Sequence, residues 1–194
     1  MIIMEEIDLV ALLKNKYTYP SWSTKTIYPL CTNNIDNKTI EVYYCTTKTI
    51  MKKRMSKIFP RHIKLTPGLC WALGFFKAEG LSSIKSKCYY RFNITNKNPI
   101  HLKKVLDELN KAGLLTKPQI KGKCFQIHHF ANHPEQARKY WADKLNFPVD
   151  MFSAQDYNHN LKREGNGVCH FDISAVLLRR ILDLINDKII NTEE

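Results

Sequence analysis

Apolar and polar residues alternate with two different periods along this chain, and each change of period marks an element. Over Cys88–Thr95 the period is two: Cys88, Tyr90, Phe92 and Ile94 share one face, and Tyr89, Arg91, Asn93 and Thr95 the other. That pattern predicts a half-buried antiparallel strand with hydrogen-bonding groups on its open face. A second hairpin is predicted from Lys117–Lys121 and Cys124–Phe130 with its turn at Gly122, setting Lys117, Gln119, Lys121 and Lys123 against Ile120, and Gln126 with His128. Between Asn98-Pro99 and Gly113 the period lengthens, and Leu102, Val105, Leu106 and Leu109 mark the inner face of a helix ending near Ala112. Residues 134–146 and Ser174 to about Asp187 read as further helices, with a strand pair around Met151–Tyr157 and Gly167–Ile173 between them.

Before these elements the pattern is weaker. An acid-rich start and an apolar face over 5–15 predict a short helix. Lys16–Asn37 reads as irregular, broken by Pro20, Pro29 and Asn33-Asn34, and the β-branched and aromatic run Thr39–Thr47 as a strand. Residues 1–62 form an N-terminal extension of unassigned role, and residues 63–190 the main domain.

The elements are arranged around 69–80, Leu-Cys-Trp-Ala-Leu-Gly-Phe-Phe-Lys-Ala-Glu-Gly. Thr66 supplies a capping hydroxyl, Pro67 suits the first helical position, and Gly80 is a stop signal. Cys70, Gly74 and Ala78 recur every four residues as a stripe of small side chains, which lets two helix backbones approach closely. The remaining positions, Trp71, Leu73, Phe75 and Phe76, predict burial nearly all round. Glu79 ends the helix where the dipole disfavours an acid, so helix formation does not account for it.

Charge changes the picture. Thirty Lys and Arg against eighteen Asp and Glu give a net charge of +12, which points to a polyanionic partner. Between Val42 and Val105 the only carboxylate is Glu79, among Lys48, Lys52, Lys53, Arg54, Lys57, Arg61, Lys64, Lys77 and Arg91. An acid isolated in so basic a stretch fits a metal ligand beside phosphates. No apolar run approaches the ~18 residues of a membrane span, and the start lacks a signal peptide's basic flank, so a soluble, intracellular (cytoplasmic) protein is expected. The basic stretch Lys48–Lys64 lacks the continuous apolar face of a membrane-surface helix. The six cysteines are scattered without close pairs and read as small core residues; His128, His129 and His133 read as polar strand residues rather than metal ligands.

Residues 72–80, Ala-Leu-Gly-Phe-Phe-Lys-Ala-Glu-Gly, resemble the LAGLIDADG motif of homing endonucleases. Gly74 and Ala78 match its small inter-helix positions, Glu79 its metal-binding acid and Gly80 its terminal glycine, while Lys77 departs from its first aspartate. The order helix, two strands, helix, two strands, helix extends the resemblance over roughly residues 63–147. The fold class it implies is α+β, a LAGLIDADG homing-endonuclease-like αββαββα core with an extra ββα unit and a small N-terminal extension. No second stretch resembles the first, so the single-motif, homodimeric type is implied.

The same resemblance implies a magnesium-dependent, site-specific double-strand DNA endonuclease. Two copies would pack through Cys70, Gly74 and Ala78, bringing two Glu79 carboxylates together, with the carbonyl of Gly80 or Ala78 also serving the metal. Asn96 and Lys97, at the strand–helix junction, fall where the family places a polar residue that orders the hydrolytic water; Lys97 and Lys162 stand as candidates for its basic residue. The sheet face carrying Tyr89, Arg91, Asn93, Thr95, Gln119, Lys121, Lys123, Gln126 and His128 has the donors and acceptors that read a DNA major groove. The alternative is a LAGLIDADG-derived DNA-binding regulator or RNA maturase that no longer cuts.

Overall fold

The computed structural model describes residues 6–18, 26–45, 53–79, 91–155 and 165–190. Fifteen elements follow in order: β1 (Glu6–Asp8), α1 (Leu9–Leu13), β2 (Tyr17–Thr18), β3 (Tyr28–Asn34), β4 (Thr39–Cys45), β5 (Lys53–Pro60), β6 (His62–Lys64), α2 (Pro67–Glu79), β7 (Arg91–Asn96), α3 (Pro99–Lys111), β8 (Phe125–His128), α4 (Pro134–Leu145), β9 (Phe152–Ala154), β10 (Val168–Ser174) and α5 (Val176–Ile190). The fold is mixed α+β with mainly antiparallel sheets: β1-β6, β2-β3-β4-β5 and β7-β10-β8-β9. Only β8–β9 pairs in parallel among the described strands.

The β7-β10-β8-β9 sheet is two-faced, as alternation requires. Its inner face is an aromatic ladder. Phe76 of α2 stacks on Phe92 of β7 at 5.0 Å, Phe92 meets Phe171 of β10 edge-on at 6.0 Å, and Phe171 meets Phe125 of β8 at 4.9 Å. Phe125 in turn stacks on Phe152 of β9 at 4.5 Å. All five rings are buried, so the ladder seats the second half of α2 on the sheet. Helices α2, α3 and α5 contact β7 and α4 contacts β9, which completes the helical layer.

Helix ends obey local chemistry. Thr66 Oγ1 accepts from Leu69 N at 3.1 Å, and Asn98 Oδ1 from Ile100 N at 2.9 Å, each with a proline at the first helical position. Gly113 closes α3 at φ +70°, and a Cβ there would stand 2.8 Å from Pro60 Cγ, so both backbone and space require glycine.

Several expectations are corrected. The helix expected over 5–15 shrinks to Leu9–Leu13, because residues 6–8 pair with His62–Lys64 and Asp8 caps the helix through Val10 N at 2.8 Å. The stretch 16–37 is not wholly irregular: β3 tolerates Pro29 near its start, where it pairs with the two-residue β2. The basic run supplies β5 and β6; β5 carries a bulge opposite Val42–Tyr44, where Met55 adopts φ 53°.

The strand expected at Lys117–Lys121 is a 3-10 turn, Lys117–Gln119. Pro118 has no N–H for a ladder, and Thr116 and Gln119 form a capping box. The strand Gly167–Ile173, expected in a separate C-terminal unit, is β10 at the centre of the main sheet between β7 and β8. The second strand pair is therefore β8 and β10, and α4 with β9 forms an excursion between them. The boundary expected at 62/63 falls inside β6, and one hydrophobic cluster runs from Ile7 and Ile40 to Ile185. The cysteines are not all core: Cys45, Cys124 and Cys169 are buried, Cys31 is half-buried and Cys70 is exposed.

Candidate active site and nucleic-acid interface

Helix α2 is not buried all round. Leu69, Ala72, Leu73 and Phe76 face the core, whereas Cys70, Gly74, Lys77, Ala78 and Glu79 are exposed. The small-residue stripe is thus an open face, and a Cβ added at Gly74 would meet nothing within 4 Å. One flank of α2 is made by rings packed on α3: Trp71 stacks on Phe75 at 5.1 Å, His101 meets both edge-on, and Lys104 Nζ sits 4.1 Å from the Trp71 ring centroid. Toward α5, Lys77 Nζ lies 3.8 Å from Asp187 Oδ1 and Asn186 Nδ2 donates to the Leu73 carbonyl at 3.4 Å.

Glu79 therefore stands exposed at the end of an open helix face. Among the described residues no group of three or more His, Cys, Asp or Glu side chains gathers there or elsewhere. The donor chemistry suits a hard divalent cation, since magnesium is usually held by one or two carboxylates, substrate phosphates and waters rather than by an all-protein cage. The carbonyls at the end of α2 are oxygen donors of the same kind. Gly80, Tyr89 and Lys162 lie outside the described residues.

The outer face of the sheet collects Arg91, Asn93 and Thr95 of β7, His170 and Asp172 of β10, and Gln126 and His128 of β8. The register sets Thr95, His170 and Gln126 in one row across three strands, with Asn93 opposite Asp172. Arg91 Nε donates to both Asp172 oxygens at 2.6 and 2.7 Å, and the Thr95 hydroxyl hydrogen-bonds His170 Nδ1 at 2.5 Å. His128 Nδ1 hydrogen-bonds the Gln155 carbonyl at 2.8 Å. Burial of Asp172 favours its neutral form, but hydrogen bonds from His170 and Arg91, and then their charges, outweigh this and hold its carboxyl below the usual range.

The structure brings five of the expected interface residues together: Arg91, Asn93, Thr95, Gln126 and His128. It does not bring the other three described ones to that face. Gln119 Oε1 accepts from Thr116 N in the 3-10 turn, and Lys121 and Lys123 are exposed on the loop before β8. Asn96 Oδ1 accepts from Asn98 N at 2.8 Å and shapes the entry to α3, beside the exposed Lys97. Asn96 is four residues along β7 from Phe92, about 13 Å at strand rise from the ring beneath Phe76.

Three residues of interest were not among those expected. His170 and Asp172 were visible as polar positions alternating with Cys169, Phe171 and Ile173, but their strand was placed outside the main sheet. Arg179 of α5 lies with its guanidinium 4.9 Å from the Phe76 ring centroid, on the residue one turn before Glu79, while its Nε donates to Asp183 at 3.1 Å. Its spacing on α5 carried no signal, because only the packing of α5 against α2 brings it there.

Compared with known proteins, the chain matches no family model and no curated sequence. Among the described residues no helix is long and apolar enough to cross a membrane.

Proposed function

We propose that this chain is a homodimeric, metal-dependent site-specific DNA endonuclease of LAGLIDADG type. The observation that carries the reading is the exposed Cys70-Gly74-Ala78 face of α2, which ends in Glu79, the lone acid of a basic stretch. In the single chain Cys70, Gly74 and Ala78 of that face are exposed. Packed against its two-fold copy, it buries its small residues and sets two carboxylates side by side, one for each strand of a duplex.

The element order supports the same fold. Omitting α4 and β9 as an insertion, α2, β7, α3, β8, β10 and α5 match the helix, two strands, helix, two strands, helix order at every element except its first strand; the sequence predicts a short strand at Leu81–Ile84, which lies outside the described residues. Here the closing helix is α5 rather than α4.

Glu79 and the α2 terminal carbonyl would hold magnesium, which supplies an activated water and stabilises the leaving oxygen in phosphodiester hydrolysis. The chain's own residues do the rest. The exposed Lys97, Lys121 and Lys123 attract the backbone, and Thr95, Gln126, His128 and Arg91 present donors and acceptors of the kind that read base edges, whereas Asn93, only 4% exposed, is covered. The net charge of +12 supports a nucleic-acid partner.

The test is selection from a randomised duplex library, binding being scored in calcium and cutting in magnesium. Recovery of a nearly palindromic site that is cut on both strands supports the proposal. Binding without cutting selects the alternative, a DNA-binding regulator or RNA maturase built on the same scaffold.

A further inference from the structure

Arg91 and Asp172 form the tightest ion pair on the outer face of the sheet, and its two halves differ in depth. The Asp172 side chain is 11% exposed and that of Arg91 33%. The carboxylate belongs to the central strand β10 and is braced on its other side, with His170 Nε2 3.7 Å from Oδ2 and His170 itself hydrogen-bonded to Thr95. Arg91 is thus the outer partner of an acid that cannot easily move.

This arrangement has two physical consequences. The first concerns charge: an arginine already neutralised by a carboxylate adds little to the sequence-independent attraction for phosphates, which follows the positive charge presented to the backbone. The second concerns direction. A guanidinium held through Nε has the plane of its fork fixed before any ligand arrives, so less side-chain freedom is lost on binding. A charge-neutral but oriented fork is poorly suited to clamping phosphate. It suits a planar pair of acceptors, such as O6 and N7 on the major-groove edge of guanine.

On the strength of the DNA-binding reading above, we infer that Asp172 is a positioning residue that fixes Arg91 as the reader of a guanine in each half-site. Arg91 and Asp172 together set sequence preference, whereas the exposed Lys121 and Lys123 set affinity.

The experiment uses the full-length chain and deep sequencing of bound duplexes in calcium, with Asp172→Asn and Arg91→Lys as variants. For Asp172→Asn the preference for guanine at one base pair per half-site falls by about 10-fold, while binding of unrelated duplex stays constant or tightens, because one negative charge is gone. Arg91→Lys keeps its charge but loses the planar fork, so it shows the same flattening with the same salt dependence. The variant Arg91→Lys carries the test alone if Asp172→Asn fails to fold in a thermal melt. A guanine preference that survives in Arg91→Lys overturns the inference. So does a uniform loss of affinity with the slope of log K against log salt reduced by about 1, which marks a phosphate contact. A wild-type protein that binds selectively with no such guanine overturns this assignment and leaves the DNA-binding reading standing; one that binds no duplex overturns both.

Discussion

Replacing Gly74 separates what the α2 face does within one chain from what it does between two. In the isolated chain a Cβ at this position meets nothing within 4 Å, so Gly74→Ala adds no clash. It removes the glycine penalty of an exposed helix interior, about 0.8–1 kcal/mol. For a chain of this size, a gain of about 1 kcal/mol raises Tm by roughly 2–4 °C. A bulkier side chain keeps that local neutrality but blocks close approach of a second helix. Overpacking costs about 1–3 kcal/mol per site, and a two-fold interface contains the site twice. Gly74→Leu therefore weakens a dimer packed through this stripe by roughly 2–6 kcal/mol, at least about 30-fold in Kd. The assay pairs a melt of Gly74→Ala at a dilution where the protein is monomeric with sedimentation equilibrium of Gly74→Leu against wild type. A lower monomer Tm for Gly74→Ala, or an unchanged dimer Kd for Gly74→Leu, refutes the reasoning.

Other outcomes follow from the same structure. Phe125 touches the rings of Phe171, Phe152 and Phe147, and Phe125→Ala should cost about 3–5 kcal/mol in chemical denaturation, against under about 0.5 kcal/mol for the exposed Lys123→Ala. Gly113→Ala puts a Cβ at φ +70° against Pro60 and should destabilise by about 1–2 kcal/mol in the same assay. Asp172 is held below the usual carboxyl range in the folded chain, so its contribution is fully present above the unfolded value near 4 and is lost as pH falls through the folded one. Denaturant titrations should show stability falling with acid below about pH 4 more steeply in wild type than in Asp172→Asn; parallel curves would contradict the assignment.

Much of the fold was legible because local signals coincided with tertiary roles. The caps at Thr66 and Asn98, the stop at Gly113 and the alternation of Arg91–Asn96 all act over a few residues, and each does in the structure what its spacing implies. The misreadings occur where a short-range pattern is satisfied by something distant. Lys117–Lys121 alternates like a strand, but Pro118 and the Thr116–Gln119 capping box make it a turn, and Ile120 finds its burial there. The strand Val168–Ser174 looked like part of a separate unit because residues 129–167 part it from Phe125–His128. The ladder closes over that gap, and no pattern in the sequence states which strand lies between which.

At the candidate site the same division holds. The small-residue stripe and Glu79 at its tip follow from helical spacing, but the exposure of that stripe does not, since the flanking Trp71, Leu73, Phe75 and Phe76 predict burial nearly all round. The pairing of Arg91 with Asp172 and the placing of Arg179 on Phe76 depend on strand order and on how α5 crosses α2, which spacing does not encode.

The most direct test of the central claim takes the duplex recovered by selection and compares wild type with Glu79→Gln, scoring cutting in magnesium and binding in calcium. Two cut strands are expected for wild type, and for Glu79→Gln retained binding with cutting reduced by at least about 100-fold, since neutralising the carboxylate would remove the proposed metal's protein anion without altering the sheet face. Equal cutting by both proteins would contradict the claim.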